Sequence, residues 1–130
     1  MSSPRLRLDD KGSAVAEFVL VAPLLLVLSL AVIQVALLLH ARATLTSAAS
    51  EGARAGALSG ADPRAGVQRA AMLVEQNIGD AVVQNISAAR DVVGGLAVIT
   101  IRIDADVPSI GLLGSTRLHV EGHALIEGEP

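Results

Sequence analysis

Between Phe18 and Leu39 no charged residue interrupts a run of Ala, Val, Leu and Ile, and only Pro23, Ser29 and Gln34 dilute its apolar character. A hydrocarbon core about 30 Å thick takes roughly 20 apolar helical residues to cross, so residues 18–39 predict a transmembrane helix. The helical pattern continues beyond the run. Residues 40–58 contain no proline and are dense in alanine, the best helix former, so one helix is expected over residues 13–59. Along it Ala48, Gly52, Gly56 and Gly60 recur every fourth residue. Small residues at that spacing let backbones approach closely, and repeated glycine weakens a helix unless packing compensates. The stripe therefore predicts a packing surface, either for self-association or for the chain's own domain.

Gly60 breaks this helix, and Asp62-Pro63 reads as an N-cap followed by proline at the first helical position. A second helix is expected to about Ile78, with Gly79 as its terminator. Val67, Ala70, Ala71, Val74 and Ile78 make an apolar stripe on it that should face a sheet. Period two then takes over. Ala97, Ile99, Ile101 and Ile103 alternate with Val98, Thr100, Arg102 and Asp104, and Gly94-Gly95 marks the turn before them. A last strand alternates Leu118, Val120, Ala124 and Ile126 inward with Arg117, His119, Glu121 and Glu127 outward, while residues 82–86 form a weaker strand candidate. Val107-Pro108 and residues 111–115 make the loop between the two stronger strands. The expected fold is α+β: a long N-terminal helix, then a second helix packed on an antiparallel meander of about three strands. The expected organisation is a leader over 1–12, the long helix over 13–59 and an exported domain over 60–130.

Charge sets an orientation. Arg5, Arg7 and Lys11 precede the run, and the nearest basic residues after it are Arg42 and Arg54. The positive-inside rule then keeps the leader in the cytoplasm and exports the chain from Ala41 onward. A secretory signal is the rival, because Ala41-Arg42-Ala43 fits a small-x-small cleavage site. Its apolar region is normally about 7–15 residues, shorter than the run here, which favours a retained anchor.

Composition narrows the chemistry. Phe18 is the only aromatic residue and there is no cysteine. Any soluble core must be aliphatic, and disulfides, a thiol nucleophile and a lipid anchor on cysteine are excluded. Lacking a basic cluster past residue 11 and stacking aromatics, the chain has no signature of nucleic-acid binding. His119, Glu121 and His123 share one face of a strand, but a solvated polar face explains them as well as a metal does. No metal, cofactor or enzymatic motif is assigned, and no enzyme activity is expected.

Glu17 is the anomaly, a carboxylate at the edge of the apolar run. At a span's centre such a charge costs on the order of 2.5–3.5 kcal/mol, and less near the interface. It is the fifth residue after Gly12, and Gly12, Ser13, Glu17 and Phe18 together resemble a prepilin processing site. Three segments extend the likeness: Lys11-Gly12-Ser13-Ala14-Val15-Ala16-Glu17-Phe18, Ala22-Pro23-Leu24-Leu25-Leu26, and Leu45-Thr46-Ser47-Ala48-Ala49-Ser50-Glu51-Gly52-Ala53-Arg54-Ala55. They resemble the TadE-like family, small pilin-like proteins of tight-adherence (Flp-type) pilus systems. Phe18 stands where the main Flp pilins usually carry tyrosine, which favours the minor, TadE-like class. The resemblance implies cleavage after Gly12 by a prepilin peptidase and a minor pilin role. The implied partners are other pilin or pseudopilin subunits, the pilus assembly machinery and membrane lipid. It also implies that Glu17 pairs with the new amino terminus at Ser13. Two alternatives stand beside it: a single-span accessory or binding protein outside any filament, and a small secreted protein cut after Ala43.

Overall fold

The computed structural model describes residues 6–79, 82–109 and 114–127, with side chains from residue 10 onward. Arg5 in the leader and residues 111–113 of the expected loop lie outside them. The chain divides into two compact units, Met1–Ala36 and Leu37–Pro130. Its elements are helix α1 (Leu6–Leu58), helix α2 (Pro63–Asn77) and strands β1 (Val83–Val93), β2 (Leu96–Pro108) and β3 (Ser115–Leu125). The fold is α+β, as the pattern predicts.

The first unit contains the N-terminal part of α1, and among the described residues its apolar side chains are mostly exposed. Phe18 is 72% exposed and Leu20 75%. The helix starts at Leu6, inside the expected leader, and runs on through Pro23. Proline lacks the N–H that would bond to the carbonyl of Val19, so that rung of the helix is missing. The hydroxyl of Ser29 donates to the carbonyl of Leu25 at 2.7 Å, which removes an unpaired polar group from an apolar stretch. This helix is long and apolar enough to cross a membrane.

The second unit holds the core. Its sheet has the order β1-β2-β3 and is antiparallel throughout. On the central strand Ile99, Ile101, Ile103, Ala105 and Val107 line one face, and Leu45, Ala49, Ala53, Ala70, Val74, Leu118 and Val120 pack with them. Fully burying one isoleucine side chain stabilises by roughly 1.5–3 kcal/mol, so the three on β2 are the main aliphatic mass of the core.

Helix α2 begins as expected. The Asp62 carboxylate accepts a hydrogen bond from the Arg64 N–H at 2.9 Å, and Pro63 follows the cap. It ends with the N–H groups of Ile78 and Gly79 both donating to the Val74 carbonyl, Gly79 having φ 85°. Its buried residues are Gly66, Ala70 and Val74. Ala71, expected on that stripe, is exposed, because the face turned to the core is offset toward Gly66.

β1 is longer than the strand candidate at residues 82–86. Its Asn85, Ser87, Ala88, Ala89 and Asp91 have weak strand propensity, and pairing with β2 imposes the conformation. β3 ends at Leu125, although the Ile126 N–H still donates to Ala97 at 3.0 Å. On the opposite face of β2, Val98 and Thr100 are also buried, since strands flank them on both sides.

Between the helices, Ala61 adopts φ 58°, uncommon for a residue with a Cβ. The Arg90 guanidinium, exposed on the helix-facing side of β1, donates to the Ala61 carbonyl from Nε at 3.1 Å and from Nη2 at 2.8 Å. That fork ties the interhelix turn to the sheet.

Gly122 is the tightest point of the second unit: a Cβ placed there would collide with the α1 backbone at Ala49 and Ser50. Backbone cannot swing aside as a side chain can. Gly122→Val is therefore expected to destabilise the domain by about 1–3 kcal/mol or more. Circular dichroism melting of the detergent-solubilised chain should show the loss, whereas Gly12→Ala, placed in open space, should leave the melting temperature unchanged.

Candidate processing segment and helix-packing site

Gly12, Ser13, Glu17 and Phe18 all lie on α1 in the first unit, and all are exposed. The peptide bond between Gly12 and Ser13 is inside the helix, with nothing within 4 Å of where a Gly12 Cβ would stand. Ser13 and Glu17 are separated by four residues, so they share one helix face about 6 Å apart along the axis. An amino group created at Ser13 would thus lie one turn from the Glu17 carboxylate.

Ala48, Gly52 and Gly56 belong to the second unit and are buried there. A Cβ on Gly52 would stand 2.7 Å from the Gly66 carbonyl oxygen and 2.8 Å from the Ala70 Cβ. One on Gly56 would stand 3.1 Å from the Asp62 carbonyl oxygen and 3.2 Å from Ile99 Cγ2. The stripe packs α1 against α2 and β2 of the same chain. Gly60 departs from it: φ is 69° and open space surrounds its Cβ position, so it makes the turn and not the contact.

Two further glycines complete the packing and were not singled out by spacing. Gly66 faces Gly52, and a Cβ on it would meet the Gly52 carbonyl oxygen at 2.8 Å and Ile101 Cδ1 at 2.9 Å. Gly122 lies under Ala49 and Ser50. A glycine inside a strand pattern signals a close backbone approach, which was the available clue for Gly122.

The face of the sheet away from this core carries an ion-pair ladder across all three strands. Arg102 on β2 donates to Asp91 on β1 at 3.2 Å and to Glu121 on β3 at 2.8 Å. His119 Nδ1 lies 2.5 Å from Asp104 Oδ1, and its Nε2 is 3.4 Å from Glu121 Oε1. His123 Nδ1 meets the buried Thr100 hydroxyl at 2.9 Å. His119, Glu121 and His123, the trio weighed as metal ligands, are each engaged in this ladder, and no metal-holding arrangement occurs among the described residues. The hydrogen bond to Asp104, helped by Glu121, raises the His119 pKa above its ordinary value. Arg102, then His119, lowers that of Glu121.

The first unit presents an uncovered apolar helix headed by Gly12 and Glu17, and the second a small-residue helix face seated on its own sheet. Residues 12–54 match the family model described as TadE-like protein. Over that segment the chain is similar to TadE-like proteins. Nothing among curated proteins or solved structures matches the chain. The TadE-like segment starts at Gly12 and includes Glu17, Phe18, Ala48 and Gly52, while Gly56, α2 and the sheet lie beyond it.

The ladder generates a pH dependence. His119, with its folded pKa raised, contributes stability that is fully present below about 6.5 and is lost as pH rises through the folded value. Glu121, with its folded pKa lowered, contributes stability that is present above about 4.5 and is lost as pH falls through the folded value. The ladder is therefore strongest between those limits. The melting temperature should fall from about pH 6 to about pH 8.5, and His119→Asn should flatten that slope.

Proposed function

We propose that the chain is a minor pilin-like membrane subunit, a pseudopilin, taking part in assembly of a tight-adherence (Flp-type) pilus. The TadE-like match carries this reading, because it begins at Gly12, the residue after which a prepilin peptidase would cut. The leader over residues 1–12, with Lys11 next to its last residue, stays in the cytoplasm. The apolar part of α1 is retained in the bilayer, and the α+β domain lies outside the cytoplasm. The subunit is structural and catalyses no reaction. Its partners are the peptidase, other pilin or pseudopilin subunits, the assembly machinery and membrane lipid.

Glu17 has a defined part in this scheme. A carboxylate in apolar surroundings is tolerable when a positive group meets it. Cleavage creates one at Ser13, on the same helix face and one turn away. A neighbouring subunit's Ser13 offers the same charge.

The secreted alternative is disfavoured by packing. Ala41 and Leu45 are buried in the second unit, and Leu38 packs against the same core. Cleavage after Ala43 would cut a helix inside that core and remove Leu38 and Ala41 from it.

N-terminal sequencing of the mature chain tests processing, and the expected first residue is Ser13. An intact Met1 in cells with active prepilin peptidase would rule out the pilin-like reading in favour of an anchored accessory protein. Glu17→Ala is expected to be cleaved and inserted normally, yet to be depleted from the sheared extracellular pilus fraction. Unchanged recovery of pilus from Glu17→Ala cells would remove the ion pair from the scheme. A reporter fused after Pro130 should be active only when exported.

A further inference from the structure

The peptide bond between Gly12 and Ser13 is closed to chemistry while α1 is intact. The helix begins at Leu6 and runs through both residues without a break. Its hydrogen bonds join each N–H to the carbonyl four residues earlier. The Gly12 carbonyl is therefore held by the Ala16 N–H, and the Ser13 N–H is held by the backbone carbonyl of Asp9. Both polar groups of that peptide are engaged.

Hydrolysis needs them free. Water adds to the Gly12 carbonyl carbon, and donors of the peptidase must meet the oxygen on which charge develops. The bond to the Ser13 nitrogen then breaks, and an acid must reach that nitrogen as it leaves. The products are a Gly12 carboxylate and a Ser13 ammonium group, with both hydrogens of the water ending on nitrogen. Neither the oxygen nor the nitrogen can take a new partner while the helix holds the old one.

Among the described residues, the helix itself is what keeps this segment closed. Asp10 through Val21 are all exposed, and no atom stands within 4 Å of a Gly12 Cβ position. Gly52 and Gly56 show the contrast. They lie on the same helix, but α2 and β2 close over them, so α1 cannot unwind there without dismantling the core. Opening around Gly12 also has a limit. From Phe18 the run is uncharged, and in lipid each backbone group must keep a partner within its own helix.

We infer that the chain is cut from an opened form of α1, in which residues up to Ala16 leave the helix while the run from Phe18 keeps it; this rests on the cleavage proposed above. The helix is then a brake on processing. Its strength over residues 13–16 sets the rate alongside the identity of Gly12. Gly12 itself lowers that strength, since glycine is a poor helix former. Where opening and closing are fast relative to cleavage, the rate follows the opened population.

The test is single-turnover cleavage of the full chain in detergent micelles by purified prepilin peptidase, with amide hydrogen exchange of the same samples. Ala14→Gly and Ala16→Gly weaken the helix without altering Gly12 or Ser13. Each should speed both cleavage and exchange over residues 13–16 about fivefold. Val15→Ala strengthens the helix and should slow both about threefold, which keeps the test valid should a glycine variant disturb the segment. A cleavage rate that changes while exchange does not overturns the inference, because it assigns these side chains to direct contact with the peptidase. Wild-type cleavage rates in all three variants overturn this inference alone. A wild-type chain left uncut removes the processing reading and this one together.

Discussion

Backbone against backbone is the contact on which the second unit depends. α1 rests on β3 at Gly122 and on α2 at Gly52 and Gly66, where no Cβ fits between the elements. A chain whose one aromatic residue lies outside this domain cannot fill a core with bulk. It gains density instead by bringing main chains together, so that many weak dispersion contacts replace a few large side chains. The isoleucines of β2 then reach both helices without intervening layers. Widening any one of these contacts separates the helix pair from the sheet and thins every contact behind it.

Much of this was legible locally. Asp62-Pro63 specified how α2 starts, Gly79 how it stops, and the alternation from Ala97 to Asp104 specified the central strand, because these signals need only neighbours in sequence. β1 was less legible. Ala88-Ala89-Arg90-Asp91 has no strand signature, and its conformation comes from a partner strand that sequence spacing does not reveal. The packing stripe was half legible for a related reason. A glycine every fourth residue announces a close approach without naming what approaches, and Gly66 and Gly122, the other sides of the contact, lie on separate elements. The Gly12 and Glu17 pattern is purely local, and the family match covers both residues.

The two units use one aliphatic alphabet for opposite ends. In the first, leucine and valine point outward from the helix and are exposed among the described residues. In the second, the same helix changes to alanine and glycine, and its inward face is buried. The change near residue 40 converts a surface suited to lipid into one suited to protein. One continuous helix can therefore serve two solvents, provided side-chain size falls where the sheet begins to cover it.

The fork from Arg90 to the Ala61 carbonyl has a consequence for strand alignment. Side chains alternate faces along a strand, so a slip of one residue would send Arg90 to the opposite side. β1 is weakly patterned and bulged at its start, the kind of strand in which misalignment is cheap. With Arg90 on the helix-facing side, the correct alignment is the one that satisfies a turn carbonyl from 29 residues upstream. A polar side chain on the apolar face thus works as a registration pin, coupling closure of the helical hairpin to the one alignment of the edge strand that lets the guanidinium reach it.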